Sequence, residues 1–140
     1  MSNFTKFSSV ELPTIENPLY TLTDDLVYER YEEWSWILII APKGTTTNFA
    51  SIPWLCTILW NRDDPRWIKS SIIHDYLWGN AKTLKDYQDS NNIFYEAMIV
   101  EWSPIWIAVC FYIALWISKY FYMLYFVLVR LFWWLFFIYK

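Results

Sequence analysis

The chain has 140 residues, 56% of them hydrophobic and 23% aromatic, with 11 Trp and a formal net charge of −3. An acidic body lacks the clustered Lys and Arg that nucleic-acid binding requires, and two glycines are too few for a glycine-rich phosphate loop. Two cysteines, Cys56 and Cys110, make no disulfide framework and suit a reducing compartment.

The charge is split along the chain. Residues 1–118 hold 14 acids and eight bases, and residues 119–140 hold only the bases Lys119, Arg130 and Lys140. The N-terminus has no long apolar run of the secretory type, so the body is expected in the cytoplasm.

Residues 1–18, polar and interrupted by Pro13 and Pro18, read as an extended arm with at most one short strand. Residues 19–22, 26–31 and 34–41 are rich in strand formers and separated by Asp24-Asp25 and Glu32-Glu33. They predict an antiparallel meander of two to four strands. The run Trp36-Ile37-Leu38-Ile39-Ile40 is continuous and apolar, as in a central strand covered on both faces. Pro42-Lys43-Gly44 closes it with turn chemistry. Trp54 to Trp60 predicts a short helix or a hydrophobic plug.

Asp63 or Asp64 as cap, and Pro65 in the first turn, predict a helix from about Arg66 to Trp78 that stops at Gly79-Asn80. Trp67, Ser71, His74 and Trp78 share one side of it, and the helix is apolar nearly all round, as central helices are. Thr83 and Asp86 form a capping-box pattern for a second helix, from Leu84 to about Trp102. On its stripe Leu84, Tyr87, Asn91, Phe94 and Met98, only Asn91 is polar. A buried amide without a partner costs about 1–3 kcal/mol, so Asn91 is expected to meet a polar atom on the His74 helix. Ser103-Pro104 starts a third helix, Ile105 to Ser118.

Tyr120 to Tyr139 carries a single charge, Arg130. A helix of about 20 residues, rising about 1.5 Å per residue, covers the hydrocarbon core of a bilayer, about 30 Å. Lys119 and Lys140 bracket the segment, and Tyr120, Tyr122 and Tyr139 sit where interfacial aromatics sit. Arg130 costs about 2.5–3.5 kcal/mol on insertion scales, and the surrounding Leu, Phe, Val and Ile return about 0.3–0.6 each, so insertion still wins. The expected anchor is a single C-terminal span bounded by Lys119 and Lys140.

The residues able to carry chemistry are His74, the only histidine, and Asp75, with Thr47, Asn48, Ser51 and Asn91 as neighbours. One His and one Asp are too few for a metal site, so no metal or cofactor is expected. Ser51 or Cys56 as nucleophile would need His74 oriented by Asp75, but adjacent helical residues point about 100° apart. The reading that best satisfies these groups is a buried polar cluster of Thr47, Asn48, Ser51, His74, Asp75 and Asn91.

Three stretches come in order: Thr47-Asn48-Phe49-Ala50-Ser51-Ile52-Pro53, His74-Asp75-Tyr76-Leu77-Trp78, and Asn91-Asn92-Ile93-Phe94-Tyr95-Glu96-Ala97-Met98. Together they resemble the domain-of-unknown-function family 1353, small proteins of tailed bacteriophages and prophages. The likeness covers roughly residues 19–118. The family pattern has Asp where this chain has Asn48 and Asn91, while His74 and Asp75 match. The resemblance implies an α+β domain at 19–118, with residues 1–18 as an arm and 119–140 as an added transmembrane helix. It implies a phage or prophage accessory protein, non-catalytic and acting by protein contacts in lysis, superinfection exclusion or virion assembly. Expected partners are the lipid bilayer, other phage or host membrane proteins, and further copies of the chain through the anchor. The alternatives are a hydrolase using His74 and Asp75, and a small membrane-permeabilising lysis protein.

Overall fold

The computed structural model describes residues 2–6, 9–12, 19–32, 34–47, 64, 66–117, 120 and 128. Among them are six strands: β1 (Asn3–Lys6), β2 (Val10–Glu11), β3 (Tyr20–Leu22), β4 (Leu26–Glu32), β5 (Ser35–Ala41) and β6 (Thr46–Thr47). Three helices follow: α1 (Ile68–Asn80), α2 (Leu84–Val100) and α3, residues 105–117. The fold is α+β.

The strands form two small antiparallel sheets, in the orders β1-β4-β5 and β2-β3-β6, instead of one meander. The N-terminal residues supply one strand to each sheet, where the sequence allowed one strand in all. Phe4 explains β1: its ring packs on Tyr28 at 4.8 Å and adds to the core. β4 and β5 form a hairpin in which Glu32 pairs with Ser35, leaving a two-residue turn. Such turns favour positive φ, and Trp34 adopts it. After β5, Thr45 donates to the Pro42 carbonyl at 3.0 Å. Gly44 takes a positive φ there, as the third position of a type II turn requires.

β5 is an edge strand, not the central strand that its apolar run suggested. Only Ile39 and Ala41 of it are buried, and Trp36, Ile37, Leu38 and Ile40 are exposed. A continuous apolar run is ambiguous, because it fits a strand buried twice and equally one that presents a face to another molecule.

The inner face of the first sheet, with Leu26, Tyr28, Ile39 and Ala41, packs against Ile72 and Ile73 of α1 and Ile93 and Ala97 of α2. A second core lies on the other side of this helix pair, where Trp67, Phe94 and Met98 meet Ile107, Ala108, Phe111 and Leu115 of α3. The layers therefore run sheet, α1 with α2, then α3.

The helix boundaries have local causes. The Thr83–Asp86 capping box is formed, with the Asp86 amide donating to Thr83 Oγ1 at 3.1 Å and the Thr83 amide to Asp86 Oδ2 at 2.8 Å. α1 starts two residues later than expected. Asp64 serves the turn ahead of it, accepting from the Arg66 amide at 3.0 Å, and Trp67 at the N-cap makes no side-chain cap. The cap comes from Glu101, whose carboxylate accepts the amides of Lys69 (3.3 Å) and Ser70 (2.7 Å) and the Ser70 hydroxyl.

α2 ends at Val100 because the chain turns there. Trp102 donates to the Ile99 carbonyl at 3.1 Å and Ser103 to the Met98 carbonyl at 3.0 Å. This is a Schellman closure, with Trp102 in the left-handed region. The closure puts Glu101 beside the start of α1. A left-handed residue with a Cβ costs about 1–2 kcal/mol, and the Trp102 side chain is 91% exposed. Trp102→Gly is therefore expected to stabilise the fold by about 1 kcal/mol, read as a raised midpoint in thermal unfolding.

Among the described residues no helix is long and apolar enough to cross a membrane. Lys119, Arg130, Lys140 and all of the expected span except Tyr120 and Leu128 lie outside the described residues. So do Asn48, Ser51, Cys56 and the Trp54–Trp60 segment.

Candidate functional site

His74 and Asn91 face each other across the α1–α2 hairpin. The turn between the helices, residues 81–83, is short, so the two run side by side and their facing stripes meet. His74 Nε2 lies 2.9 Å from Asn91 Oδ1. An amide oxygen only accepts, so Nε2 donates the proton. His74 is 2% exposed, and its ring packs on Phe94 with centroids 5.0 Å apart.

Asp75 points elsewhere. Its Oδ2 accepts from the Thr47 hydroxyl of β6 at 2.5 Å, fastening the second sheet to α1. Asp75 Oδ1 is 3.7 Å from His74 Nδ1, beyond hydrogen-bond reach. Nδ1 itself is buried with no hydrogen-bond partner, as are Ser71 Oγ and Trp67 Nε1. All three are on the side of α1 that carries residues 67, 71 and 74.

Of the six residues assigned to the polar cluster, the structure thus brings together Thr47 with Asp75 and His74 with Asn91. Asn48 and Ser51 lie outside the described residues. Among the described residues, no group of three or more His, Cys, Asp or Glu side chains is placed to hold a metal ion.

Two carboxylates outside the expected cluster, Glu96 and Glu101, also tie the elements together. Glu96 Oε1 accepts from Ser2 Oγ (2.5 Å) and Tyr28 OH (2.9 Å), and Oε2 accepts from Arg30 Nε (2.7 Å). Burial pushes the Glu96 carboxyl up, but the hydrogen bonds from Ser2, Arg30 and Tyr28 and the charge of Arg30 outweigh it. The group is held below the ordinary glutamate range. Burial also pushes the Tyr28 phenol well above its usual range, with Glu96 adding to the effect. For Glu101 burial wins, and its carboxyl is raised although Ser70 and Lys69 donate to it. The available signal was that Glu96 is the lone charge between Asn92 and Val100, on a helix whose neighbouring positions are apolar.

The family model described as "Protein of unknown function (DUF1353)" matches residues 20–115. The chain belongs to this family. No curated protein and no solved structure matches it. The DUF1353 match runs from β3 into α3, so it contains the Thr47–Asp75 and His74–Asn91 pairs and the carboxylates Glu96 and Glu101.

A histidine buried to 2% exposure, spending Nε2 on an amide and one ring face on Phe94, is placed to hold α1 on α2. Asn91→Ala is expected to lower stability by about 2 kcal/mol, since it leaves the Nε2–H buried and unpaired. Asn91→Asp keeps an acceptor at this position, so it is expected to cost less. Thermal unfolding followed by circular dichroism separates the two.

Proposed function

We propose that this DUF1353 chain is a membrane-attached accessory protein of a phage or prophage that works by protein contacts. The observation that carries the reading is the outer face of α3. Ile105, Val109, Ile113, Trp116 and Ile117 are all exposed, and at about 100° per residue they occupy one continuous sector of the helix. Large exposed apolar patches mark protein or membrane contacts. Here the patch leads directly into a segment with no acid from residue 105 onward and three bases, the composition of a membrane segment with cationic flanks. The body is then cytoplasmic, and its part in the phage cycle is lysis, superinfection exclusion or virion assembly. The phage setting rests on the family resemblance, and neighbouring lysis genes or tail genes would separate those roles.

The full chain is expected to float with phospholipid vesicles and to stay with the pellet after an alkaline carbonate wash, and removal of residues 120–140 to release it. A full-length chain that remains soluble would sink the proposal. A hydrolase using His74 and Asp75 is less well supported, because the imidazole is enclosed. Stoichiometric zinc or manganese lost in His74→Ala would favour it nonetheless. A permeabilising role predicts toxicity that depends on residues 120–140 and not on His74.

A further inference from the structure

The outer face of the first sheet is a second apolar surface. On β5 it presents Trp36, Leu38 and Ile40, and on β4 it presents Val27, Glu29 and Tyr31, paired with them as Tyr31↔Trp36, Glu29↔Leu38 and Val27↔Ile40. Leu38 is 59% exposed, and the Tyr31 and Trp36 rings pack at 5.1 Å, which fixes the aromatic end of the patch.

This surface and the outer face of α3 lie on opposite sides of the α1–α2 layer, since the two cores flank that layer. On the membrane reading, a flat bilayer in contact with α3 does not reach β5, and a protein strand is the occupant that suits its edge. Its form follows from the edge. β5 is the outermost strand of its sheet, so it offers a row of main-chain donors and acceptors. Edge strands are normally blunted by charge, proline or a bulge, and Ser35–Ala41 contains no charge and no proline and pairs with β4 in unbroken register.

We infer that β5 pairs antiparallel with β5 of a second copy of this chain, joining two three-stranded sheets into one of six. An uncharged strand is compatible with itself, because no like charges come opposite one another about a two-fold axis. Centring the pairing on Leu38 sets Leu38 against Leu38 and Trp36 against Ile40 of the second copy. The pairing covers the main chain of the two edges and the flanks of Trp36, Leu38 and Ile40, a contact at the small end for specific association. Such a contact gains from confinement. Here the inference rests on the membrane reading, since tethering to one bilayer raises the effective concentration.

The test uses the full chain in detergent, with Cys56→Ser and Cys110→Ser to silence its own thiols. Leu38→Cys is expected to give a disulfide-linked dimer under mild oxidation, and Lys85→Cys, off the sheet, is not. In the native chain, Leu38→Lys is expected to weaken self-association about tenfold or more with an unchanged circular dichroism spectrum. The inference is overturned if the native chain stays monomeric as its concentration is raised, or if the dimer survives Leu38→Lys. A chain that fails to float with vesicles yet crosslinks through Leu38→Cys would support the pairing and refute the membrane reading alone.

Discussion

Phe94→Ala is expected to cost about 3–5 kcal/mol, the range for emptying a fully buried aromatic position, and to lower the melting temperature by roughly 10–15 °C. Phe94 is completely buried and joins three helices. From α2 its ring packs on His74 of α1 at 5.0 Å and on Phe111 of α3 edge-on, at 6.2 Å and 89°. The substitution thus opens a cavity at the point where the polar pair meets the second core. Phe94→Leu keeps most of the volume and is expected to cost about 1 kcal/mol. The comparison is read by thermal unfolding in one detergent throughout. A loss below about 1 kcal/mol for Phe94→Ala, well under the usual cost of such a truncation, would mean that α3 is not packed on the helix pair, and the three-layer order would fail with it.

How much of this was legible in the sequence depends on how far apart the interacting residues lie. α1 and α2 were legible because their signals are local: an apolar helical pattern marks one, although that helix continues through Gly79 and Asn80 to a C-cap at Ala81, and Thr83 with Asp86 opens the other. That Asn91 meets α1 follows from helical spacing and a short turn. The division into two sheets was not legible, because pairing Asn3 with Glu29 and Tyr20 with Thr47 depends on long-range register that no window of sequence contains. Nor was the cap on α1, since Glu101 lies 31 residues beyond Ser70 in the chain. Asp64 and Pro65 are a sound local start signal, and Asp64 serves the turn before the helix. The apolar run of β5 was read for its hydrophobicity, which is correct, but hydrophobicity does not say whether the covering surface belongs to the same chain.

Glu96→Ala is expected to cost about 2–3 kcal/mol at neutral pH, because three donors lose a half-buried acceptor, and the loss should fade in acid. Glu96 ties α2 to Ser2, to Tyr28 and to Arg30, and so holds the sheet on the helices. Arg30 retains Glu32 at 2.5 Å, which limits the cost to less than that of an isolated buried charge. The folded Glu96 carboxyl lies below its ordinary value of 4.5. As pH falls past that value, the unfolded chain takes up this proton before the folded one does. Stability contributed by Glu96 is therefore complete above about 4.5 and drains away as pH falls through the folded value. Glu101 works with the opposite sign: its carboxyl is raised above the ordinary 4.5. It keeps its proton longer in the folded state, so its contribution falls as pH rises through the folded value. Glu101 is present in both proteins, so subtracting the Glu96→Ala stability from that of the native chain at each pH cancels it and leaves Glu96 alone. The difference is expected to be flat from about pH 7 down to about 5 and to shrink below that. A difference independent of pH down to about 3, well below the ordinary glutamate value at which the unfolded chain takes up its proton, would show that the Glu96 carboxylate is not what binds Ser2, Tyr28 and Arg30, and that α2 is held on the sheet by apolar packing alone.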